Sequence, residues 1–557
     1  MILDGNTFVA ETILEADVVI VGSGPAGLTL AREFANQNLN VILLESGDFA
    51  SHRGLKKLNE GDTSGDSYPN PRWGRIRRFG GTPNRWQIHI APHLYGARYA
   101  PLEPIDFEAR DFVPYSGWPI SRADLDPYYA RAQVHCGLGP YEYDTSYWEQ
   151  PGSPPLSFKG GRLVSSMFQF GARDVWTKHY ADVTVNAPNI RVVTAASVVE
   201  IETDDGGTNV TGVRVMNFSH TTFRVRTKSL ILAVGCIESS RLLLLSTDKH
   251  RDGIGNDYDV LGRYFMDHPQ SYLNVFTPSD RHIFDTTGLY DLRTIDQYGV
   301  MAKLTFSEQT MLKQQLQNIC FVLFPRRDHF MSEAFQSFFT IALAAYHANR
   351  PTRIGYHVKA MVKGWHHLAR IGLWELQGKA PYPYLAHGGW ATTPDRSGLF
   401  DVFEVFSLLE QAPDPQNRIT LSDQLDPNGT RKVHVHWQFT ETDRLNVERI
   451  RRTFDQELAD SGLGTMTWHP DPYTSASSVH PSGGTRMHSD PHLGVVDAQC
   501  RVHGISNLYI ASSGVFPTSG YANPTLTVVA LATRLADHVK VQFQRPPVVN
   551  SAQLDIS

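Results

Sequence analysis

Cysteine is scarce in this chain of 557 residues, and the four that are present form no C-x-x-C pair. They are Cys136, Cys236, Cys320 and Cys500. Disulfide frameworks, structural zinc sites and cysteine-ligated iron–sulfur clusters all need paired or clustered cysteines. The sequence therefore argues against all three, and we expect no metal site.

Long hydrophobic runs are also missing. None approaches the roughly 18 consecutive apolar residues of a membrane helix, and the nearest, residues 335–345, is too short. The first residues, MILDGNTFVAETILEAD, carry acids and no apolar signal-peptide core. We therefore expect no membrane partner and a cytoplasmic location.

Positive charge is not in excess. The net charge is −6, with 41% hydrophobic and 19% charged residues, which is ordinary globular composition and gives no reason to expect a nucleic-acid partner. The length allows about two to four domain-sized units. One local basic cluster could be a solvated face or a set of phosphate contacts near a dinucleotide. It consists of Arg72, Arg75, Arg77, Arg78 and Arg85.

A dinucleotide-binding pattern opens the chain. Residues 17–21 are an apolar run typical of a buried parallel strand, and Gly22, Gly24 and Gly27 then form G-x-G-x-x-G before a predicted helix over 26–36. The glycines allow the tight turn, the approach of a pyrophosphate to the backbone, and close packing of helix on strand. The helix N-terminus favours an anion.

A second predicted strand, 41–44, ends in Glu45. This acid follows Gly27 at about the 20-residue spacing of a group that binds a ribose 2′-hydroxyl. A carboxylate there favours an unphosphorylated ribose over NADP. The fingerprint leaves NAD and FAD open.

The strand–glycine–helix pattern recurs later in the chain. Residues 229–234 read as a buried strand, Gly235 ends it, and a helix is predicted over 238–245. Upstream, three segments alternate as strands of a meander: 191–202, 212–218 and 222–227. These patterns predict an α/β fold in which later segments return to one parallel sheet.

Other segments are predicted from helical spacing and turn residues. Helices are expected over 122–132 with Ser121 as N-cap, and over 309–317, 331–347, 354–377 and 443–461. Residues 418–439 alternate as strands around a turn at 426–429. At the end of the chain, 507–511 reads as a strand. Residues 524–539 read as a helix beginning at Pro524, so that Asn523 lies at its N-terminus.

Several motifs in one order resemble the glucose–methanol–choline (GMC) family of FAD-dependent oxidoreductases. After the fingerprint come FGGTPNRW, GWPISRADLDPYY, AVGCIESSRLL, LGRYFMDHP, HPSGGTRM, D-x-x-x-RVHG and G-x-x-NPTLT, over most of the length. The NPT ending is similar to the branch of pyranose oxidase, cholesterol oxidase and bacterial sugar dehydrogenases. In that branch the catalytic pair matches His480 and Asn523.

The resemblance implies oxidation of an alcohol by hydride transfer to flavin N5. A histidine suits the base, because its usual pKa lies near working pH, and an amide can hold the substrate oxygen without titrating. Three other histidines, His268, His488 and His503, are interpreted as structural, with His488 as the rival base. It stands where relatives usually have glycine after Arg-Met.

The resemblance also implies an FAD-binding domain built from 1–60, 190–265 and 485–545. A substrate domain with an antiparallel sheet and helices would be built from 61–189 and 266–484, with a helical insertion around 300–395. Together, the fingerprint and the resemblance assign FAD binding to Gly22, Gly24, Gly27, Glu45, Gly81, Asn84, Trp86, Val198, Gly235, Ser513, Pro524 and Thr525. Pyranose oxidase has a flavin-linked histidine before its tryptophan. Arg85 precedes Trp86 here, so we expect non-covalent FAD.

The substrate class follows from branch resemblance alone, which favours a sugar or glycoside hydroxyl. Aromatic residues of 300–395 could stack on a sugar or belong to the core; they are Trp365, Trp374, Tyr382, Tyr384 and Trp390. Four alternatives stay open: a non-sugar alcohol, a sterol, a hydroxynitrile-lyase-like enzyme that keeps FAD without redox turnover, and an NAD-dependent dehydrogenase. Dioxygen or another electron acceptor could reoxidise the flavin.

Overall fold

The structure is a computed structural model that describes residues 1–66, 68–86, 88–91, 94–180, 184, 186–327, 329–346, 353–376, 388–470 and 479–544. Strands and helices are numbered below in chain order. Their arrangement confirms the α/β class predicted from the sequence.

A mixed sheet carries the dinucleotide fingerprint. Its strands are β1 (Ile2–Asp4), β2 (Ile13–Val21), β3 (Val41–Leu44), β8 (Ile190–Thr194), β9 (Ser197–Thr203), β10 (Val210–Met216), β11 (Thr222–Leu232) and β20 (Leu508–Ile510). The order is β1-β8-β3-β2-β11-β10-β9, with β20 also pairing β11. The pairs from β1 to β11 and the β11–β20 pair are parallel, whereas β9, β10 and β11 form an antiparallel meander. The later segments therefore return to the sheet of the fingerprint.

Two strand predictions were wrong in their boundaries. The segment 191–202 is not one strand but two, β8 and β9, because Ala195 has φ of +52° and turns the chain. The segments 222–227 and 229–234 are instead one strand, β11, whose first half pairs with β10 and whose last residues pair with β20.

Three long helices belong to this layer: α1 (Pro25–Phe34), α5 (Cys236–Leu245) and α13 (Thr525–Gln544). Helix α1 packs between the sheet and α13, and α13 packs in turn on α3 (Arg122–His135). Helix α1 ends earlier than predicted, at Phe34, and Asn36 just beyond it has φ of +60°. Ser121 is the N-cap of α3, as predicted, and forms a capping box with Asp124.

A second, largely antiparallel sheet has the order β19-β12-β16-β15-β14-β7-β6-β5, with β13 also pairing β14. Its strands are β5 (Ile88–Ala91), β6 (Leu94–Tyr99), β7 (Leu163–Ala172), β12 (Gln270–Pro278), β13 (Arg293–Ile295), β14 (Tyr298–Phe306), β15 (Ile319–Arg326), β16 (Val402–Leu409) and β19 (Gly464–Thr467). The segment 300–395 is therefore not simply a helical insertion, because it supplies most of β14 and all of β15.

The helices of that segment are α7 (Glu308–Gln314), α8 (His329–Tyr346), α9 (Ile354–Lys363), α10 (Trp365–Leu376) and the short α11 (Arg396–Leu399). The single helix predicted over 354–377 is divided at Gly364, so α9 and α10 are separate. Other short helices are α2 (Pro104–Phe107), α4 (Thr145–Trp148) and α6 (Ile283–Thr286).

A small third sheet has the order β17-β18-β4 and consists of β4 (Gly61–Gly65), β17 (Arg418–Leu425) and β18 (Arg431–Trp437). The turn at 426–429 and the helix after it, α12 (Glu441–Ser461), confirm the predictions for this region. Every strand of the fingerprint sheet lies in the ranges that we assign to FAD binding, while the division into domains stays a prediction. Among the described residues, no helix has both the length and the apolar character needed to cross a membrane.

Candidate active site

The glycine fingerprint forms a tight loop at the carboxyl end of β2. A Cβ at Gly27 would lie 1.9 Å from the carbonyl oxygen of Gly22, so a side chain there would force loop and helix apart. Gly22 itself has φ of +98°. A Cβ at Gly24, by contrast, would meet no heavy atom within 4 Å. The loop thus opens on free space at the N-terminus of α1, where a pyrophosphate fits.

The two glycines of FGGTPNRW lie against this loop. The amide of Gly80 donates to the carbonyl of Ser23 at 3.1 Å, and a Cβ at Gly81 would lie only 2.8 Å from Cα of Gly24. The Asn84 side chain donates to the carbonyls of Phe79 and Gly81 at 3.0 and 2.9 Å. The paired glycines thus let the backbone of this segment approach the fingerprint loop closely.

Glu45 lies beside the same loop and is 4% exposed. One of its carboxylate oxygens accepts from the amide and hydroxyl of Ser23 at 3.1 and 2.6 Å, and the other accepts from the amide of Gly47 at 2.7 Å. Each carboxylate oxygen has more than one acceptor site. Glu45 therefore supports the loop, and its contact with a ribose stays a prediction.

Three more predicted cofactor residues lie in β9, at the start of α5 and after the FGGTPNR segment. Gly235, with φ of +79°, is exposed at the start of α5, and a Cβ there would meet no atom within 4 Å. Val198 lies half-buried in β9, and Trp86 contacts Tyr99 edge-to-face with ring centroids 5.9 Å apart. A glycine cradle that opens at a helix N-terminus, with an acid at the end of the next strand, fits FAD.

The structure brings His480 and Asn523 together, although they are 43 residues apart in sequence: Nε2 of His480 lies 3.0 Å from Nδ2 of Asn523. Asn523 immediately precedes Pro524 and α13, which begins at Thr525. Ser513, which lies upstream of Asn523, connects to the segment of His480, since its hydroxyl donates to the carbonyl of Pro481 at 2.6 Å.

One buried carboxylate holds the histidine segments in place. Oδ1 of Asp267 accepts from the backbone amides of His480 and His268 at 3.0 and 2.7 Å. Oδ2 of Asp267 accepts from the hydroxyl of Tyr68 at 2.8 Å. Asp267 thereby positions the two imidazoles, whose Nδ1 atoms are 3.2 Å apart.

The hydrogen-bond network assigns the protons of this cluster. Nε of Arg98 donates to Oδ1 of Asn523 at 2.8 Å, so the amide nitrogen of Asn523 must face His480. An amide nitrogen only donates, and Nε2 of His480 is therefore the unprotonated, accepting nitrogen. The proton of a neutral His480 is then on Nδ1, which faces Nδ1 of His268.

Both imidazoles are neutral at neutral pH. Burial lowers the pKa of His480 well below its usual value, and the nearby His268 and Arg98 lower it further. Burial likewise lowers the pKa of His268 to about 3. A neutral His480 has a lone pair on Nε2 beside an amide donor, an arrangement that can take a proton from an alcohol bound to both groups.

Sequence reasoning missed two members of this cluster. His268, which is interpreted as structural from the sequence, contacts His480, and Arg98 is not identified from the sequence. The signal that could have identified it is a lone arginine in the otherwise uncharged strand LYGARY (β6). Burying such a guanidinium costs free energy unless it binds a partner.

The rival histidine lies elsewhere. Nδ1 of His488 accepts from the amide of Asp490 at 2.9 Å, and its backbone carbonyl lies 2.9 Å from Nε2 of His503. Neither His488 nor His503 has a hydrogen bond to His480 or Asn523.

Neither interpretation describes the whole basic cluster, since Arg72 and Arg85 are exposed whereas two other members are paired and mostly buried. Arg75 and Arg77 are neither solvated nor free for phosphates, because they pair with Glu238 at 2.8 and 2.9 Å and their side chains are 15% and 14% exposed. Arg72 pairs with Glu60 at 3.0 Å. Most of the cluster thus holds the polar segment that follows β3.

The aromatic residues considered as sugar platforms are dispersed. Trp390 is buried and packs on Phe400 and Phe403, so it belongs to the core, whereas Trp365 is 67% exposed on α10. Tyr382 and Tyr384 lie outside the described residues, as does the side chain of Trp374.

Two family models match the chain. The model of the FAD dependent oxidoreductases matches residues 17–314, more than half of the length, and the GMC oxidoreductase model matches residues 413–532. The second match contains both His480 and Asn523.

Known relatives align along nearly the whole chain. The chain is 23% identical to paromamine 6'-oxidase of Streptomyces fradiae, over 94% of this chain and 91% of that protein. It is 24% identical to the fructose dehydrogenase large subunit of Gluconobacter japonicus, over 94% and 98%.

A solved FAD-dependent oxidoreductase from Chaetomium thermophilum aligns with a TM-score of 0.51 at 15% identity, covering 95% of this chain and all of that one, and it shows the shared fold. The family implies a small-molecule substrate and an electron acceptor. The chain belongs to the FAD dependent oxidoreductases and, within them, to the GMC oxidoreductases, as an enzyme that takes FAD and acts on CH–OH groups.

Proposed function

We propose that this enzyme oxidises a sugar or glycoside hydroxyl to a carbonyl with non-covalently bound FAD. His480 is the base and Asn523 its hydrogen-bonding partner. The observation that carries the proposal is the 3.0 Å contact between Nε2 of His480 and Nδ2 of Asn523. Two groups so close can bind one hydroxyl oxygen between them.

The protonation of the pair supports this assignment. Nε2 of His480 accepts the O–H proton, the Asn523 amide donates to the same oxygen, and the C=O bond forms as the C–H electron pair leaves as hydride. FAD, when bound, supplies N5 as the acceptor of that hydride. The Arg98 contact keeps the amide nitrogen turned toward the substrate oxygen.

The substrate class has support in the names of two relatives, paromamine 6'-oxidase and the fructose dehydrogenase large subunit. The non-covalent cofactor has support in Arg85, which stands directly before Trp86 and whose guanidinium donates to the carbonyl of Trp73. The cytoplasmic location stays a prediction.

The first test removes the imidazole. His480→Ala should retain bound flavin but slow its anaerobic reduction by about 10² to 10⁴-fold, because the base is lost. Stopped-flow absorbance with a panel of sugars, glycosides, sterols and simple alcohols identifies which compounds reduce the flavin and gives the rate of flavin reduction.

His488→Ala is the matched control and should reduce at the wild-type rate. Unchanged kinetics in His480→Ala would remove this residue from the mechanism. A wild-type flavin that no alcohol of the panel bleaches would instead favour a lyase that retains FAD.

The second test concerns the linkage. Acid precipitation of the holoenzyme should release all of the yellow flavin into the supernatant, since the position before Trp86 carries no histidine to link it. Absorbance of the two fractions measures the outcome, and colour retained in the washed pellet would contradict a non-covalent cofactor.

A further inference from the structure

Two buried cations lie beside the candidate catalytic pair. Arg98 and Lys303 are 4% and 2% exposed. The Arg98 guanidinium carbon lies 5.2 Å from the ring centroid of Phe168, and Nζ of Lys303 lies 5.0 Å from the same centroid. Strands β6, β7 and β14, which are neighbours in the second sheet, bring the three side chains together.

Neither cation has a counterion among the described residues. Nε of Arg98 donates to Asn523, but its buried Nη1 has no hydrogen-bond partner there. Lys303 donates to the hydroxyl of Ser166 and contacts the ring of Tyr521. The acid whose charge Lys303 feels most, Glu103, forms no ion pair with it and accepts instead from the Tyr521 hydroxyl at 2.6 Å.

This arrangement is costly without an anion. Burial lowers the pKa of both Arg98 and Lys303, and the like charge of Arg98 also lowers that of Lys303. Aromatic faces offset only part of such a cost. Buried charges are otherwise paired with an opposite charge.

The position of Arg98 says where an anion would lie. The side-chain amide of Asn523 lies between the Arg98 guanidinium and the His480 imidazole. It accepts from Nε of Arg98 at 2.8 Å and donates to Nε2 of His480 at 3.0 Å. An anionic group on Arg98 would therefore be only a few bonds from a hydroxyl held by His480 and Asn523.

We propose that Arg98 and Lys303 form an anion subsite that binds a carboxylate of the substrate, so that the enzyme acts on sugar acids or related hydroxy acids. This inference rests on the proposed alcohol oxidation and specifies its substrate class. The fork of Arg98 suits a carboxylate, and Lys303 adds a second charge. Arg98 would be held between the substrate and Asn523, coupling recognition of the acid to the orientation of the amide.

The first experiment titrates the oxidised holoenzyme with acetate, and with acetamide as the neutral isostere, at constant ionic strength. Acetate should perturb the visible flavin spectrum with a saturating dependence, and acetamide should not. The same titrations of Lys303→Met should show acetate binding weakened at least tenfold. Lys313→Met, at an exposed position of α7, is the matched control and should bind acetate as the wild type does.

The second experiment compares glucuronate and glucose as anaerobic reductants of the flavin. The wild type should favour glucuronate at least tenfold in the second-order rate constant of reduction. Lys303→Met should lose that preference because its rate constant with glucuronate falls while its rate constant with glucose stays the same. If Lys303→Met does not fold, the acetate–acetamide and glucuronate–glucose comparisons on the wild type still decide.

Three results would overturn the subsite: no saturable acetate effect, acetate binding unchanged in folded Lys303→Met, or no preference for glucuronate over glucose. A variant that binds acetate normally but reoxidises slowly in air would assign the two cations to dioxygen instead. Failure of the proposed oxidation looks different. No alcohol would then bleach the flavin, whereas a saturable, Lys303-dependent acetate effect would still support the anion subsite.

Discussion

Two buried arginines of this enzyme have opposite surroundings. Arg110 donates to both carboxylate oxygens of Glu410, at 2.9 and 2.5 Å, and the two side chains are 1% and 0% exposed. Arg98 is about as deeply buried but contacts an amide and two aromatic rings, with no carboxylate partner among the described residues. The pKa values follow this contrast: burial lowers that of Arg98, whereas Glu410 outweighs burial and raises that of Arg110.

The difference separates a structural ion pair from a binding group. Arg110 has its counterion within the protein, and Glu410 also accepts from the backbone amide of Asn318 at 2.8 Å, so the pair connects the segment after α2 to the start of β15 and the end of β16. Arg98 has no carboxylate partner among the described residues and lies next to the groups proposed for chemistry. The following changes test whether the two arginines differ in this way.

The largest expected effect comes from breaking the closed pair. Arg110→Met should lower the free energy of unfolding by about 3 to 5 kcal/mol, because Glu410 is left as an uncompensated buried charge. Denaturant unfolding of the holoenzyme, followed by far-UV circular dichroism, measures the loss.

The double variant Arg110→Met with Glu410→Leu is the control and should recover most of the stability, since neither charge remains. If Arg110→Met were as stable as the wild type, the buried charge of Glu410 would not need Arg110 to compensate it.

The matched change at the other arginine should cost far less. Arg98→Met should change the free energy of unfolding by only about 1 kcal/mol, because losing one charged hydrogen bond is offset by removing an uncompensated buried cation. The same denaturation assay applies. A loss as large as that of Arg110→Met would make Arg98 a structural residue and weaken the case for a ligand there.

The contrast also explains what could be predicted from the sequence. The glycine loop, Glu45 and the start of α13 are local patterns, in which a few consecutive residues set the conformation. His480 and Asn523 carry recognisable motifs, so their meeting could be expected. Arg98 reaches Asn523 across 425 residues of sequence, and no local pattern records which strand faces the catalytic pair.

The boundary errors have the same origin. Ala195 divides β8 from β9 through a single left-handed backbone conformation that apolar spacing does not reveal. Segments 222–227 and 229–234 form one strand because β2 pairs with both of them, although β10 and β20 each pair with only one part of β11. Pairing partners, rather than propensity, decide these limits.

The smallest expected effect concerns the pH dependence of flavin reduction. It compares the influence of Arg98 and of Arg110 on the pKa of His480. Burial, His268 and Arg98 all hold the pKa of His480 well below the ordinary value near 6.5, so the base is already unprotonated in mildly acidic solution. Flavin reduction by a neutral sugar should therefore differ less than about twofold between pH 7.5 and 5.5, where an ordinary histidine would give roughly a tenfold fall.

Removing a neighbouring cation raises the pKa of an imidazole, so Arg98→Met should move the acid fall of the reduction rate to higher pH, toward 6.5. Arg110→Met should leave the profile unchanged wherever it is folded, since its guanidinium is neutralised by Glu410. Stopped-flow reduction at constant ionic strength gives both profiles. A fall of the wild-type rate with a midpoint near pH 6.5 would contradict the lowered pKa of His480. An identical shift in both variants would show that Arg98 influences the pKa of His480 no more than Arg110 does.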